Sequence, residues 1–168
     1  MTPDAEQPRD RVLAAHRTAL TLVLAFAMSI VIYAGVGLLI LSMRGGNPRA
    51  ELPYVFYGAA AVLAIGSIVV RRAMLNRMRI EAVAVARGVD GLIKHLSNTT
   101  LIAAAIAEII GVLALVVAFF GGDQGDVIRL SVVALAVSIY NYPSRSSWQR
   151  AVDYFTATNS GASQSLGL

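Results

Sequence analysis

From Thr18 to Met43 the chain carries no charged residue and no proline. A hydrocarbon core about 30 Å thick takes roughly 20 apolar residues as a helix, so this stretch is long enough to cross a bilayer with tilt. Three further stretches follow the same rule. Leu52–Val70 is bounded by Glu51 and the pair Arg71–Arg72, and Leu101–Phe120 is interrupted only by Glu108. Val127–Tyr142 is shorter and has Arg129 near its start, where a long side chain can snorkel to the interface. Composition agrees: 57% of residues are hydrophobic and 14% charged, against about 45–50% and about 25% in soluble domains. The sequence predicts an all-α integral membrane protein. Its four transmembrane helices (18–43, 52–70, 101–120 and 127–142) form two antiparallel hairpins.

Lys and Arg mark the cytoplasmic side of a membrane protein. Of the 14 basic residues, all but Arg44, Arg49 and Arg129 fall before Thr18, in the connection 71–100, or after Tyr142. Both termini and the central connection are therefore expected in the cytoplasm, across a bacterial-type inner or plasma membrane. The Gly- and Pro-rich turns RGGNPRAELP (Arg44–Pro53) and GGDQGD (Gly121–Asp126) lie outside. The first apolar run exceeds the 7–15 residues of a signal peptide, and Asp4, Glu6 and Asp10 dilute its basic start, so it reads as an anchor that stays. Residues 1–17 read as a cytoplasmic leader and 159–168, small and polar, as a disordered tail. The transmembrane domain lies between them, over 18–158.

The connection 71–100 lacks proline and is rich in good helix formers as far as Arg87. Arg77 with Glu81, and Asp90 with Lys94, stand at the i,i+4 spacing that supports a helix. Gly88 and Asp90 mark the expected break. The second helix is predicted to run on to about Arg87 and the third to start near Asp90, so that both extend into the cytoplasm. Arg71, Arg72, Arg77 and Arg79 at its base suit anionic lipid headgroups.

The chemistry available is narrow. There is no cysteine and only two histidines, His16 and His95, which excludes thiol chemistry and a histidine-rich metal site. No phosphate loop, nucleophile elbow, HExxH helix or carboxylate pair within one span occurs. The reading is a protein that is not an enzyme, with no cofactor, no metal and no nucleic-acid partner. Its partners are the bilayer, further copies of itself or a larger membrane complex.

Glu108 is the exception that invites chemistry. A carboxylate near the bilayer centre costs on the order of 2.5–3.5 kcal/mol on insertion scales and persists where it faces a partner, a cavity or an ion path. Ala103, Ala107 and Gly111 form a small-xxx-small series beside it, with Ala104 one turn before, so Glu108 is placed at a close helix–helix interface. Gly35 and Gly37 read as packing positions on the first helix. No cation lies at that depth; the candidate partners are Ser29, Tyr33, Ser67, Ser138 and Asn141. Two readings follow: a carboxyl that binds or moves H+ or Na+, and a packing residue in a structural or accessory subunit.

The segment AIAEIIGVLALVVAFF (Ala105–Phe120) resembles the carboxylate helix of the rotary ATP synthase c subunit and the vacuolar-type proteolipids. The resemblance covers this one helix. It implies that Glu108 occupies the place of the carboxylate that carries the translocated ion, and that hairpins of this kind pack into a ring.

Overall fold

Within a bilayer a chain satisfies its backbone only by hydrogen bonding within helices or a closed barrel. The computed structural model describes residues 8–44, 52–74, 76–142, 144, 146 and 148–150, and among these there is helix and no strand. The helices are α1 (Pro8–Arg44), α2 (Leu52–Met74), α3 (Arg77–Phe120) and α4 (Gln124–Tyr140). Segments of α1, α2 and α3 (Asp10–Arg44, Tyr54–Met74 and Val85–Phe120) are long and apolar enough to cross a membrane. α4 has 17 residues, about 26 Å at 1.5 Å per residue, just short of a core about 30 Å thick. α1 is continuous across Thr18, and in its first turns Val12 is 3% exposed. The tail from Asn159 lies outside the described residues.

Neighbouring side chains give the direction of each helix. Arg11 meets Asp90 and Arg44 reaches the carbonyl of Phe119, so α1 and α3 run parallel. Tyr57 meets Asp126 and Ser67 meets Asn141, so α2 and α4 run parallel as well. Phe56 near Phe120 and Met74 near His95 set α2 antiparallel to α3. The start of α1, the start of α3 and Trp148 therefore share one end, and the turn at 121–123 lies at the other.

Pairing departs from the expected hairpins in one respect. α3 packs on α4, and each of α1 and α2 packs on both, but α1 and α2 do not touch among the described residues. The four helices form a diamond, with α3 and α4 on the short diagonal. The cause lies in α3, whose Ala103, Ala104, Ala107, Ala114 and Ala118 are at most 2% exposed. Small residues let neighbouring backbones approach closely, so the best partner for both α1 and α2 is this face and not each other.

The connection also differs from expectation. α2 ends at Met74, about one turn past the expected span, and does not continue to Arg87. Two contacts fix that end: His95 Nε2 lies 3.0 Å from the Met74 carbonyl, and Thr99 Oγ1, which donates to the His95 carbonyl at 2.8 Å, lies 3.6 Å from Met74 Sδ. Asn76 then starts α3 as its N-cap, its side chain accepting from the Met78 amide, which satisfies one of the orphan donors of a helix start. Gly88 is a break too, but within α3, with φ 65° and ψ −166°. Its left-handed φ suits glycine alone. The extension beyond the apolar segment is thus carried by α3, past an elbow at Gly88.

Two apolar clusters result. The larger joins Ile30 of α1 and Ala60 of α2 to the faces of α3 and α4 around Ile110, Val117 and Leu130. The smaller, at the other end, gathers Val12, Ala19, Leu92, Ile93, Leu96 and Trp148. At the opposite end the turn from α3 to α4 depends on two glycines. Gly121 has φ 90°, and a Cβ on Gly122 would lie 2.2 Å from Val117 Cγ1.

Candidate functional site

Glu108 sits on the flank of the buried face of α3, at its boundary with α1, and is half-buried. One turn further along, Gly111 meets Ile30 of α1 so closely that a Cβ would lie 2.8 Å from Ile30 Cγ1. That close approach brings Tyr33, one turn after Ile30, within reach. Its ring leans back along α1, as helical side chains tilt towards the N-terminus. The Tyr33 hydroxyl donates to Glu108 Oε1 at 3.2 Å.

The other polar candidates lie elsewhere. Ser29 Oγ donates within α1 to the Ala25 carbonyl at 3.1 Å. Asn141 Nδ2 donates to Ser67 Oγ and to the Val137 carbonyl, each at 2.8 Å, tying the end of α4 to α2. Ser138 is buried on the same face of α4. Asn141 Oδ1 and Ser131 Oγ are buried without a hydrogen-bond partner among the described residues. Of the five residues considered for Glu108, the structure brings up Tyr33.

Among the packing candidates, Ala103, Ala104, Ala107 and Gly111 lie on the buried face of α3. Gly37 faces Val127 and Ala118, whose nearest atoms would be 3.2 and 3.4 Å from an added Cβ, where α1 meets α3 and α4. Gly35 has nothing within 4 Å and points away from the bundle. Of the basic group, Arg71 stacks its guanidinium over the Tyr140 ring, 5.0 Å from the centroid, a cation–π contact. Arg72 is exposed, and the side chains of Arg77 and Arg79 lie outside those described.

A second polar centre sits where α3 turns into α4. Asp126 is 7% exposed. It accepts from the Tyr57 hydroxyl at 2.6 Å and from the Asp123 amide at 3.0 Å. Asp123 returns a cap to the Asp126 amide at 2.7 Å, and Arg129 Nη1 lies 3.8 Å from Asp126. This reciprocal capping box was open to reading from the Asp-x-x-Asp spacing, whereas Tyr57, on another helix, was not. At the opposite end His16 meets Trp148 edge-on, with ring centres 5.6 Å apart, and His95 holds Met74. Among the described residues no three His, Asp or Glu side chains converge as they would around a metal ion.

The Glu108–Tyr33 pair offers a carboxyl and a hydroxyl bridging two helices. Chemically it can exchange a proton or lend oxygens to a cation. Comparison with protein-family models, with curated proteins and with solved structures gives no match.

Proposed function

We propose that this chain is a non-enzymatic subunit of a membrane assembly, crossing a bacterial-type inner or plasma membrane four times with both termini in the cytoplasm. It oligomerises, or joins a larger complex, through the lateral faces of α1 and α2. The observation that carries this reading is how little of those two helices the bundle covers. The apolar windows of α1 and α2 are 17% and 11% buried, against 44% for α3. Both uncovered faces carry bare glycines: Gly35 on α1, and Gly58 and Gly66 on α2, have nothing within 4 Å of an added Cβ. In lipid, where burial of apolar surface does not drive association, such small residues favour a close helix contact. α4 completes the fourth span by drawing on the snorkelling reach of Arg129 at one end and on Asn141–Tyr142 at the other. Arg71, Arg72, Arg77 and Arg79 attract anionic headgroups on the cytoplasmic side.

The chain has no cysteine of its own, so single cysteines at Gly58 or Gly66 report assembly directly. Mild oxidation in native membranes is expected to trap disulfide-linked dimers at one of these positions and not at Val133, on α4. Monomer throughout would remove the oligomeric reading.

A second reading is favoured by the Tyr33–Glu108 hydrogen bond and by the resemblance to proteolipid carboxylate helices: Glu108 binds or passes H+ or Na+. Hard cations in proteins take several oxygen ligands, and this pair supplies three oxygens at most, so a proton suits it better than sodium. Glu108→Gln separates the two readings, because the amide still accepts the Tyr33 hydroxyl. Under the subunit reading the variant assembles as the wild type does and membrane proton flux is unchanged. Loss of a flux that wild-type protein supports in vesicles would establish the second.

A further inference from the structure

Beside the elbow of α3 lies a groove of about 400 Å³ lined by Arg87, Asp90, Gly91, Lys94, His95 and Asn98. That volume falls among those of small-molecule sites, about 300–1,000 Å³. The residues recur every three or four positions, so they share one face of the helix. Two glycines shape it. Gly88 bends the backbone with its φ of 65°, and Gly91 has no room for a side chain, since a Cβ there would lie 2.2 Å from Arg87 Cβ. At the bend the Arg87 side chain lies against the bare Gly91 and lines the groove.

Charge and position then define the ligand. Asp90, the one acid, is already met by Arg11 of α1 at 3.3 Å, so Arg87 and Lys94 set the sign of the groove. His95 Nε2 is committed to the Met74 carbonyl, while the Asn98 amide offers a neutral donor. Asn98 lies three residues before Leu101, where the apolar run begins, or about 4.5 Å along the axis, and Lys94 lies about 10 Å out. Headgroup regions extend about 5–8 Å beyond the hydrocarbon core, so Asn98 is level with lipid phosphates, Lys94 lies just outside them with a side chain long enough to reach back, and Arg87 lies further out, beyond the elbow.

We propose that this groove binds a phosphoryl group, with Arg87 and Lys94 supplying the charge and Asn98 a hydrogen bond. Arginine is suited to this because its planar fork matches phosphate oxygens two at a time. The groove's lining includes none of Arg71, Arg72, Arg77 and Arg79, and the proposal does not depend on the role of Glu108. A lipid phosphodiester and a soluble phosphate ester share this chemistry, and experiment separates them.

The full chain is reconstituted in nanodiscs of phosphatidylcholine with or without phosphatidylglycerol, and lipid retained on release is read by native mass spectrometry. In parallel, the detergent-solubilised protein is titrated with inorganic phosphate. Wild-type protein is expected to retain phosphatidylglycerol in preference. At about fivefold per basic residue near a headgroup, the Arg87→Gln/Lys94→Gln pair lowers that preference about 25-fold. The charge-conserving Arg87→Lys/Lys94→Arg pair keeps most of it, which shows that the fold survives. The charge-matched pair Arg17→Gln/Arg150→Gln, outside the groove, has a smaller effect. Phosphate binding in detergent with the same dependence on Arg87 and Lys94, but no lipid preference, keeps the phosphoryl site and assigns it to a soluble ester. Equal losses in the groove pair and the charge-matched pair, or no dependence on Arg87 and Lys94 in either arm, would overturn the proposal.

Discussion

Replacing Gly111 with leucine is expected to push α1 away from α3 and destabilise the bundle by on the order of 3 kcal/mol. Even a single methyl group meets Ile30 Cγ1 at 2.8 Å and Ile30 Cβ at 3.3 Å, and Ile30 is fully buried. It therefore has nowhere to turn. The same contact permits a test of cause. Gly111→Ala alone should cost about 1–2 kcal/mol by overpacking, and Ile30→Ala alone about 2–4 kcal/mol by leaving a cavity. Together they should cost less than their sum by about 1 kcal/mol, because the added methyl occupies space that the isoleucine vacates. Unfolding in mixed detergent micelles reads all three variants. A purely additive pair would mean that the two helices are not in contact at this position.

The second large effect is expected at Asp126. Truncation to alanine strips the partner from the Tyr57 hydroxyl and the Asp123 amide at once, leaving only the Asp123 half of the capping box that starts α4. Hydrogen bonds to a charged group are worth about 1.5–3 kcal/mol, and two are lost here, so a loss of about 3 kcal/mol is expected. Asp126→Asn keeps the shape and one acceptor oxygen, and should retain about half of that. Tyr57→Phe removes only the link to α2. If Asp126→Ala and Tyr57→Phe prove equally mild in the same unfolding measurement, the turn is held by its glycines and not by this carboxylate.

These two positions also show what a sequence of this kind discloses. Helix and the three long apolar segments are local properties: absence of charge and proline over 20 residues determines them wherever the neighbours lie. Pairing is not local. α1 is apolar on every side, so nothing in its own residues says that it packs on α3 and α4 and leaves α2 alone; that choice is made by the alanine face of α3. Gly88 was legible as a break because glycine punctuates helices, but the actual end of α2 was not. It is set by His95 and Thr99 reaching Met74 from more than five turns along α3. Glu108 drew notice through the cost of a carboxyl in lipid, yet sequence spacing could not rank Tyr33 above Ser29, one turn earlier on the same helix. The ranking comes from Gly111, which lets α1 approach near enough for a tyrosine to span the gap, while the serine turns back to its own helix.

In the proposed topology the bundle crosses the membrane with the turn between α3 and α4 on one side and the elbow of α3 on the other. The most direct measurement is labelling of single cysteines with a membrane-impermeant maleimide, in sealed cells and after permeabilisation, at Gln124→Cys and Ala86→Cys. Both positions are exposed, and the chain has no other cysteine. In that topology Gln124→Cys labels in intact cells and Ala86→Cys only after permeabilisation. Labelling of both from the same side would contradict it, since α3 could not then span the bilayer.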